Sequence, residues 1–355
     1  MTGRIPLPAQ PTGVAWPTLT WATAALGDER AGDDLDLAVE AAFRGPRAAE
    51  LGATAAIVVV RAGRIVAEHY GPGSTARTKH LSWSMAKSIT HAALGICIGD
   101  GSIDRDAVPV APEWTSPDDS RAAITLTDLL AMRSGLRFNE DYVDADTSHC
   151  IDMLFGVGAD DVAAFAASLP LDHPIGEVFN YSSGTTNILA RRIGDALGGR
   201  DGMERFLRDR LFDPIGMSSA EPRFDAAGTF VGSSYVYATA RDFARFGLLY
   251  LRDGVWDGSR VLPAGWVDEA RTLRSVDEDA MGYGLHWWIH DDESGAFAAR
   301  GYEGQRIIVV PSLDAVIVRL GKTPAEKRPA LDRYLDELVD LVACAIEPHP
   351  EESPT

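Results

Sequence analysis

Leu81-Ser82-Trp83-Ser84-Met85-Ala86-Lys87-Ser88-Ile89-Thr90 is the stretch around which the rest of the chain is organised. A β-rich segment precedes it and a run of helix formers follows it. We expect Ser82 to cap a helix here, with Ser84 in the first turn and Lys87 one turn later. Residues three apart share a helix face, so the hydroxyl of Ser84 and the amine of Lys87 are expected to touch. The free N–H groups and positive dipole of a helix start favour negative charge beside a reacting serine.

A Ser-x-x-Lys pair is a weak motif by itself, but this chain contains few lysines. Its 33 basic residues include only four, Lys79, Lys87, Lys322 and Lys327. Random placement of serines and lysines gives roughly 0.2 such pairs in a chain of this composition. Arginine cannot release its proton whereas a buried lysine can, so a lysine at this position suits a base. The alternative is a surface lysine that follows a capping serine.

A lysine that acts as a base must first be neutral. With a pKa of about 10.4 in water, a lysine is neutral at pH 7 only about 0.04% of the time. We therefore expect Lys87 to be desolvated, and a neighbouring positive charge would favour the neutral form further.

Length and composition limit the class of protein. The chain has 355 residues, of which 46% are hydrophobic and 24% charged, as in ordinary globular proteins with room for two subdomains. The net charge of −19 argues against nucleic-acid and anionic-membrane partners. The longest apolar run, Ala53–Val60, is the size of a strand rather than of a membrane span. Residues 1–21 lack the pattern of a signal peptide.

The cysteines indicate a compartment. Cys97, Cys150 and Cys344 lie far apart and without the spacing of metal ligands. We therefore expect a reduced, cytoplasmic location and neither a metal nor another cofactor. The sequence leaves open whether the chain forms a homodimer.

Apolar spacing divides the chain into two strand-bearing ends and a helical middle. Residues 1–32 are predicted to form an extended arm, followed by a helix over Asp33–Arg44. The predicted strands are Thr54–Val60, Arg64–Tyr70, Tyr283–His290, Phe297–Arg300, Gln305–Val310 and Ala315–Leu320. The predicted later helices are the one after Ser84 to about Ile98, Thr125–Arg133 with a Thr125/Asp128 capping box, Asp160–Ser168, Gly184–Leu197, Gly202–Leu211, Thr239–Leu251 and Ala325–Ala345.

These elements predict one antiparallel sheet that is built from both ends of the chain. Residues 33–72 and 281–355 would form the sheet subdomain, with residues 73–280 inserted as a mostly helical subdomain. The active site would lie between the two, where enzyme clefts commonly occur. The loop Leu136–Phe155 would form one wall of that cleft.

Two further stretches carry candidate functional residues. Tyr181 lies at a loop-to-helix junction, where a phenol beside a Ser–Lys pair could shuttle a proton and a lysine charge would lower its pKa. Its plainer interpretation is a half-buried tyrosine. Gly301 and Gly304 flank the start of the late sheet and would allow a substrate close to the backbone, or mark only a bulge on an edge strand.

Taken in order, these motifs resemble those of the serine β-lactamase and penicillin-binding superfamily. Ser84-Met85-Ala86-Lys87, Tyr181-Ser182-Ser183 and a Gly-x-x-Gly strand follow one another as its three motifs do. The runs Asp128–Arg133, Asn139–Asp144, Trp287-Trp288 and Gly304-Gln305 resemble, more narrowly, the 6-aminohexanoate-dimer hydrolases. That branch is related to class C β-lactamases and to carboxylesterases. The resemblance implies an α/β (α+β) β-lactamase-like fold.

The resemblance also implies roles for individual residues. Ser84 matches the acylated nucleophile, Lys87 its base, and Tyr181 the tyrosine that passes a proton to the leaving group. The N–H groups of Ser84 and Tyr302 match the oxyanion hole. Tyr142 matches a second tyrosine that contacts an amide leaving group in the dimer hydrolases.

Two departures from the superfamily pattern bear on the substrate. The middle motif usually ends in asparagine, but Ser183 stands here, as in the dimer hydrolases. The third motif is usually Lys-Thr-Gly or His-Thr-Gly, but here it reads Ala299-Arg300-Gly301. The cation that holds a β-lactam or peptide carboxylate is therefore missing unless Arg300 replaces it, and we expect Ser183, Arg300 and Gly301 to contact substrate.

The sequence thus predicts a serine hydrolase that cleaves small esters or linear amides through a Ser84 acyl-enzyme. A β-lactamase or D-stereospecific peptidase of the same superfamily is the enzyme alternative, and a catalytically silent binding protein is the other. His286 and His290 could be taken for cation ligands together with Asp291-Asp292-Glu293, but the better interpretation is a solvated turn.

Overall fold

The computed structural model describes residues 5–27, 29–290 and 292–344, and these contain eleven α-helices and thirteen strands. The helices are α1 (Glu29–Ala41), α2 (Gly45–Leu51), α3 (Ala86–Gly99), α4 (Leu126–Leu130), α5 (His149–Phe155), α6 (Val162–Ser168), α7 (Ser183–Ala196), α8 (Arg200–Phe206), α9 (Ala240–Leu251), α10 (Trp266–Ala270) and α11 (Arg328–Cys344). The strands are β1 (Ala53–Arg61), β2 (Arg64–Tyr70), β3 (His80–Leu81), β4 (Glu221–Pro222), β5 (Val236–Ala238), β6 (Val255–Trp256), β7 (Ser259–Arg260), β8 (Ser275–Val276), β9 (Gly282–Tyr283), β10 (Trp288–Ile289), β11 (Phe297–Gly301), β12 (Gln305–Val310) and β13 (Ala315–Lys322).

Eight of the strands form one antiparallel sheet in the order β2-β1-β13-β12-β11-β10-β9-β8. Strand β1 pairs with β13 along its whole length, from Ala53 opposite Lys322 to Arg61 opposite Ala315. The first long strand and the last strand of the sheet, which come from opposite ends of the chain, are therefore neighbours within it. This confirms the predicted antiparallel sheet and the predicted fold class.

Helices cover both faces of this sheet because side chains alternate along each strand. Ile57 and Val59 pack with α1, α2 and α11 in one buried apolar cluster. Val58 and Val60 pack on the opposite face, in a larger cluster that includes residues of α3 and α9. Strand β1 is thus buried on both sides, which explains its continuous apolar sequence.

The middle of the chain holds the remaining helices and two small sheets, β3-β5-β4 and β6-β7. Within it, the capping box at α4 is confirmed, because the Thr125 side chain accepts from the Asp128 N–H and the Asp128 carboxylate accepts from the Thr125 N–H. The division at residues 73 and 281 stays a prediction, and β8 joins the large sheet before residue 281.

Three predicted elements differ from the structure. Helix α1 begins at Glu29, inside the segment that we expected to be an extended arm. Helix α4 ends at Leu130 because the chain reverses at Met132, which has φ 57°. The predicted strand Tyr283–His290 is two strands that pair with each other, with Trp288 opposite Tyr283. The residue pattern suggested one continuous strand, but the chain turns back at His286, which has φ 58°.

None of the helices among the described residues has the length and apolar character needed to span a membrane.

Candidate active site

Ser84 lies in a short 3₁₀ turn, Trp83–Met85, that leads directly into α3. The prediction that Ser82 caps this helix is wrong, because its side chain makes no capping hydrogen bond. The Ser82 hydroxyl instead lies 3.1 Å from the carbonyl oxygen of Ser234 and accepts from the Val236 N–H at 3.1 Å. Ser82 therefore ties the turn to the segment around β5, which a local pattern could not reveal.

Trp83 holds the turn in an unusual backbone conformation. Its φ is 45°, in the left-handed region that costs a non-glycine residue on the order of 1–3 kcal/mol. The indole packs edge-on against Tyr302, with ring centroids 5.7 Å apart, and also against Tyr235 at 6.2 Å. These contacts offset the strain and keep the following residue, Ser84, at the surface of a cleft.

Lys87 meets the requirement of desolvation, since only 1% of it is exposed. Its Nζ lies 2.9 Å from the Ser84 Oγ, 2.9 Å from the Ser183 Oγ and 3.2 Å from the Ser233 carbonyl oxygen. The contact between the hydroxyl and the amine is therefore present. The charge nearest to the amine is not positive, however, because a carboxylate oxygen of Glu140 lies 4.0 Å away.

Tyr181 completes the cluster from the loop before α7. The Lys87 Nζ lies 4.8 Å from the centroid of the ring. Burial raises the pKa of Tyr181, while the charge of Lys87 and the polar side chain of Ser84 act in the opposite direction. Burial is the larger effect, so the phenol is a proton donor at neutral pH rather than the acidified group that we expected.

Glu140 is the member of this cluster that the sequence did not single out. Its side chain is 9% exposed and accepts three hydrogen bonds, from the Ser183 N–H at 2.7 Å, the Ser183 Oγ at 2.5 Å and the Tyr142 Oη at 2.7 Å. Ser183 begins α7, so the carboxylate also faces the positive end of a helix. An acidic residue in a polar loop has no periodicity to mark it, although Glu140 stands in the run that suggested the dimer hydrolases.

Tyr142 and Tyr302 form the opposite wall of the cleft. Their ring centroids are 4.7 Å apart, and both residues line the cleft together with Ser84 and Tyr181. Tyr302 follows β11 directly, which places its N–H at the strand end beside the Ser84 turn. The role of the Ser84 and Tyr302 N–H groups as an oxyanion hole stays a prediction.

The residues of the third motif lie at the same cleft in different ways. The Arg300 guanidinium pairs with Asp332 at 3.2 Å and lies over the Trp288 ring, 5.6 Å from its centroid. Gly301 faces the Ser84 turn, because a β-carbon at this position would lie 2.4 Å from the Ser82 carbonyl oxygen. Gly301 is therefore needed first for packing of the strand against that turn.

His286 does not belong to a solvated turn, and that prediction is wrong. It is 2% exposed, with Nδ1 3.0 Å from the Leu130 carbonyl oxygen and Nε2 3.0 Å from the Thr186 Oγ1. Burial, with a smaller contribution from the charge of Lys87, lowers its pKa to about 3. Residue 291 lies outside the described residues; among those described, no group of three or more His, Cys, Asp or Glu residues could hold a metal ion.

The structure thus brings Ser84, Lys87 and Ser183 into one hydrogen-bonded group, with the Tyr181 ring beside it, at a cleft of about 810 Å³. The remaining candidates, Tyr142, Tyr302, Arg300 and Gly301, line its walls. A hydroxyl held by a buried amine, with a protonated phenol beside both, is suited to nucleophilic attack on a carbonyl carbon and to protonation of a leaving group.

Comparisons with known proteins identify the family and the fold. Residues 39–341 match the sequence model of the family described as Beta-lactamase. The 6-aminohexanoate-dimer hydrolase of Paenarthrobacter ureafaciens is 30% identical over 296 residues, which are 76% of this chain and 73% of that protein. A candidate 6-aminohexanoate-dimer hydrolase from Bacillus anthracis superposes with a TM-score of 0.74 at 23% identity, over 94% of this chain and 90% of that one. A family VIII carboxylesterase superposes with a TM-score of 0.65 at 14% identity, over 89% and 98%.

Proposed function

The chain belongs to the beta-lactamase family and is, in general terms, a serine hydrolase, and we propose that it cleaves small esters or linear amides through an acyl-enzyme on Ser84. One observation carries the proposal: the buried amine of Lys87 lies 2.9 Å from the Ser84 hydroxyl. That is the distance over which a base removes the proton of a nucleophile.

In the proposed reaction the Ser84 Oγ attacks the substrate carbonyl while Lys87 takes its proton. The N–H groups of Ser84 and Tyr302 would hold the oxyanion, and each such donor contributes roughly 3 kcal/mol to the transition state. Tyr181 would return a proton to the leaving group. General acid–base assistance adds on the order of 10²–10⁴-fold. Water then attacks the acyl-enzyme and releases the acid.

The preference for esters and linear amides over β-lactams depends on the third motif. Arg300 stands in place of the usual Lys-Thr-Gly cation, and its guanidinium is shared between Asp332 and the Trp288 ring. A cation engaged in this way is a poor receptor for the carboxylate of a β-lactam. The dimer hydrolase to which the chain is similar is named for a linear amide substrate, and the structural neighbours include a carboxylesterase.

We also propose that the protein is cytoplasmic. Its three cysteines, Cys97, Cys150 and Cys344, are free thiols in the structure, as expected in a reducing compartment. Cell fractionation of the native host tests this location, and recovery of the protein outside the fraction that holds a cytoplasmic marker enzyme would contradict it.

The proposal is tested by turnover of p-nitrophenyl esters and by labelling with a fluorophosphonate probe. We expect wild-type protein to hydrolyse the esters and to carry the label on Ser84 after peptide mapping, and Ser84→Ala to lose both. Full ester hydrolysis by Ser84→Ala would refute the assignment. Rapid hydrolysis of a chromogenic cephalosporin with slow ester turnover would favour a β-lactamase, and absence of both turnover and labelling would favour a silent binding protein.

A further inference from the structure

A continuous row of hydrogen bonds runs from Ser84 through Lys87, Ser183 and Glu140 to Tyr142, which lines the cleft. We propose that Ser183 and Glu140 form a proton relay between Lys87 and Tyr142, and that this relay makes Tyr142 a second proton donor, beside Tyr181, for the leaving group of linear amides. The proposal rests on the proposed function, because it requires Ser84 as nucleophile and Lys87 as base. It assigns a role to Glu140 that neither the motifs nor the comparisons supply.

Each step of the row is within hydrogen-bond distance. The Lys87 Nζ lies 2.9 Å from both the Ser84 Oγ and the Ser183 Oγ. The Ser183 Oγ donates to the Glu140 Oε1 at 2.5 Å, and the Tyr142 Oη lies 2.7 Å from the same oxygen. Tyr142 then faces the cleft. The row therefore starts at the attacking oxygen and ends at a phenol that a substrate can reach.

The residue type at position 183 is essential to this scheme. A hydroxyl accepts one hydrogen bond while donating another, so it can pass a proton from one neighbour to the next. Ser183 is placed to do this, because it receives from Lys87 and donates to Glu140. An asparagine amide offers donors and an acceptor on different atoms and cannot exchange a proton in the same way. A serine at position 183 would therefore allow proton transfer where an asparagine would only form hydrogen bonds.

Glu140 is also held in place independently of the hydroxyl. The Ser183 N–H donates to the Glu140 Oε2 at 2.7 Å, and this N–H belongs to the first turn of α7. Its intrahelical partner is missing at that position, so a carboxylate satisfies it. Glu140 touches no reacting atom, and it acts as a positioning and proton-storing residue rather than a catalytic one.

The charge of the pair makes such storage feasible in a buried site. Lys87 and Glu140 can be an ammonium and a carboxylate, or an amine and a carboxylic acid, and the net charge is zero in both states. An uncompensated buried charge is costly, whereas interconversion of these two states creates none. The other titratable groups that face Glu140 stay neutral at pH 7, because burial raises the pKa of each of them: Tyr142, Cys150, Tyr181 and Tyr283.

The protons balance over one cycle. In the neutral pair, Lys87 takes the proton of Ser84 as the carbon–oxygen bond forms and becomes an ammonium. As the carbon–nitrogen bond breaks, Tyr142 gives its proton to the departing nitrogen and regains one from Glu140, while Ser183 gives its proton to Glu140 and regains one from Lys87. In deacylation, Lys87 takes a proton from the water whose oxygen bonds to the acyl carbon, and it gives this proton to the Ser84 Oγ as the bond between that oxygen and the acyl carbon breaks. Lys87, Ser183, Glu140 and Tyr142 are then back in their starting states.

This route matters for amides because an amine leaves poorly without a proton, whereas a p-nitrophenolate needs none. Glu140→Gln and Ser183→Ala interrupt the row. We expect each to lower kcat on an alkyl amide by about 10² or more, with loss below about tenfold on the p-nitrophenyl ester of the same acid. Ser183→Asn should behave like Ser183→Ala, and Ser183→Thr, which keeps the hydroxyl, should restore amide turnover. Tyr142→Phe should share the selective loss.

A matched control is available elsewhere in the chain. The Ser219 Oγ donates to the Asp242 Oδ2 at 2.5 Å and the Ser219 N–H donates to the same oxygen at 2.9 Å, so a serine again gives both its hydroxyl and its N–H to one carboxylate, here away from the cleft. Ser219→Ala should lower the melting temperature as any such loss does, and leave the amide-to-ester ratio unchanged. Labelling by a fluorophosphonate verifies that each variant retains a folded Ser84 site.

Equal losses on amide and ester in Ser183→Asn and Tyr142→Phe would overturn the relay, as would wild-type amide turnover in Ser183→Asn. If Glu140→Gln fails to fold, Ser183→Asn and Tyr142→Phe decide the question. These outcomes differ from failure of the proposed function, in which Ser84→Ala itself would retain hydrolysis.

Discussion

The most direct physical test of the structure concerns the buried imidazole of His286, beneath the site. Burial, and secondarily the charge of Lys87, lowers its pKa from the usual 6.5 to about 3. The unfolded chain therefore binds a proton at His286 below pH 6.5, and the folded protein does not until pH 3. Stability from this residue is fully present above pH 6.5 and is lost as pH falls toward 3.

The magnitude follows from the interval between the two pKa values. Each pH unit below 6.5 costs about 1.4 kcal/mol of unfolding free energy for one proton, so the loss through His286 is about 2 kcal/mol at pH 5. We compare wild type with His286→Asn, since asparagine tolerates the left-handed backbone at φ 58°. The variant should be less stable at pH 7, because it loses contacts with Leu130 and Thr186, but it should lose about 2 kcal/mol less on acidification.

Urea unfolding at pH 7 and pH 5 measures this difference, and the imidazole C–H resonances in NMR report the protonation directly. The spectrum of His286→Asn identifies the missing signal. A wild-type signal for His286 that titrates near pH 6.5 in the folded protein would refute the reasoning. Equal losses of stability by the two proteins between pH 7 and pH 5 would refute it as well. Comparison with the variant removes the background from His91, whose pKa burial also lowers.

Three further predictions follow from the site and its surroundings. Lys87→Arg keeps a positive charge but cannot act as a base, so ester turnover should fall about 10²–10⁴-fold; steady-state kinetics with near-normal activity would exclude Lys87 as the base. Gly301→Ala places a β-carbon 2.4 Å from the Ser82 carbonyl oxygen, so it should lower both the melting temperature and kcat, and a wild-type kcat would contradict the close approach. Titration of the native protein with a thiol reagent should modify only Cys344, because the other two cysteines are buried; rapid modification of more than one thiol per chain would contradict that burial.

Local patterns in the sequence were sufficient for the elements whose contacts lie close along the chain. The three-residue spacing of Ser84 and Lys87 places amine and hydroxyl on one helix face, and the capping box at Thr125 is completed within four residues. The uninterrupted apolar sequence of β1 indicates that the strand is buried on both faces. Even the pairing of the two chain ends followed from strand-like segments at both ends, as the register of β1 with β13 shows.

The tertiary structure decided everything that depends on segments far apart in the chain. Glu140 joins the site only because its loop packs against the start of α7, 43 residues later. His286 is buried only because the chain reverses between β9 and β10 and brings it under Leu130. Arg300 is engaged only because α11 places Asp332 beside it. The periodicity of apolar residues indicates which face of an element is buried. It does not indicate a hydrogen bond or ion pair between side chains that are distant in the sequence, because the packing of whole elements determines which side chains meet.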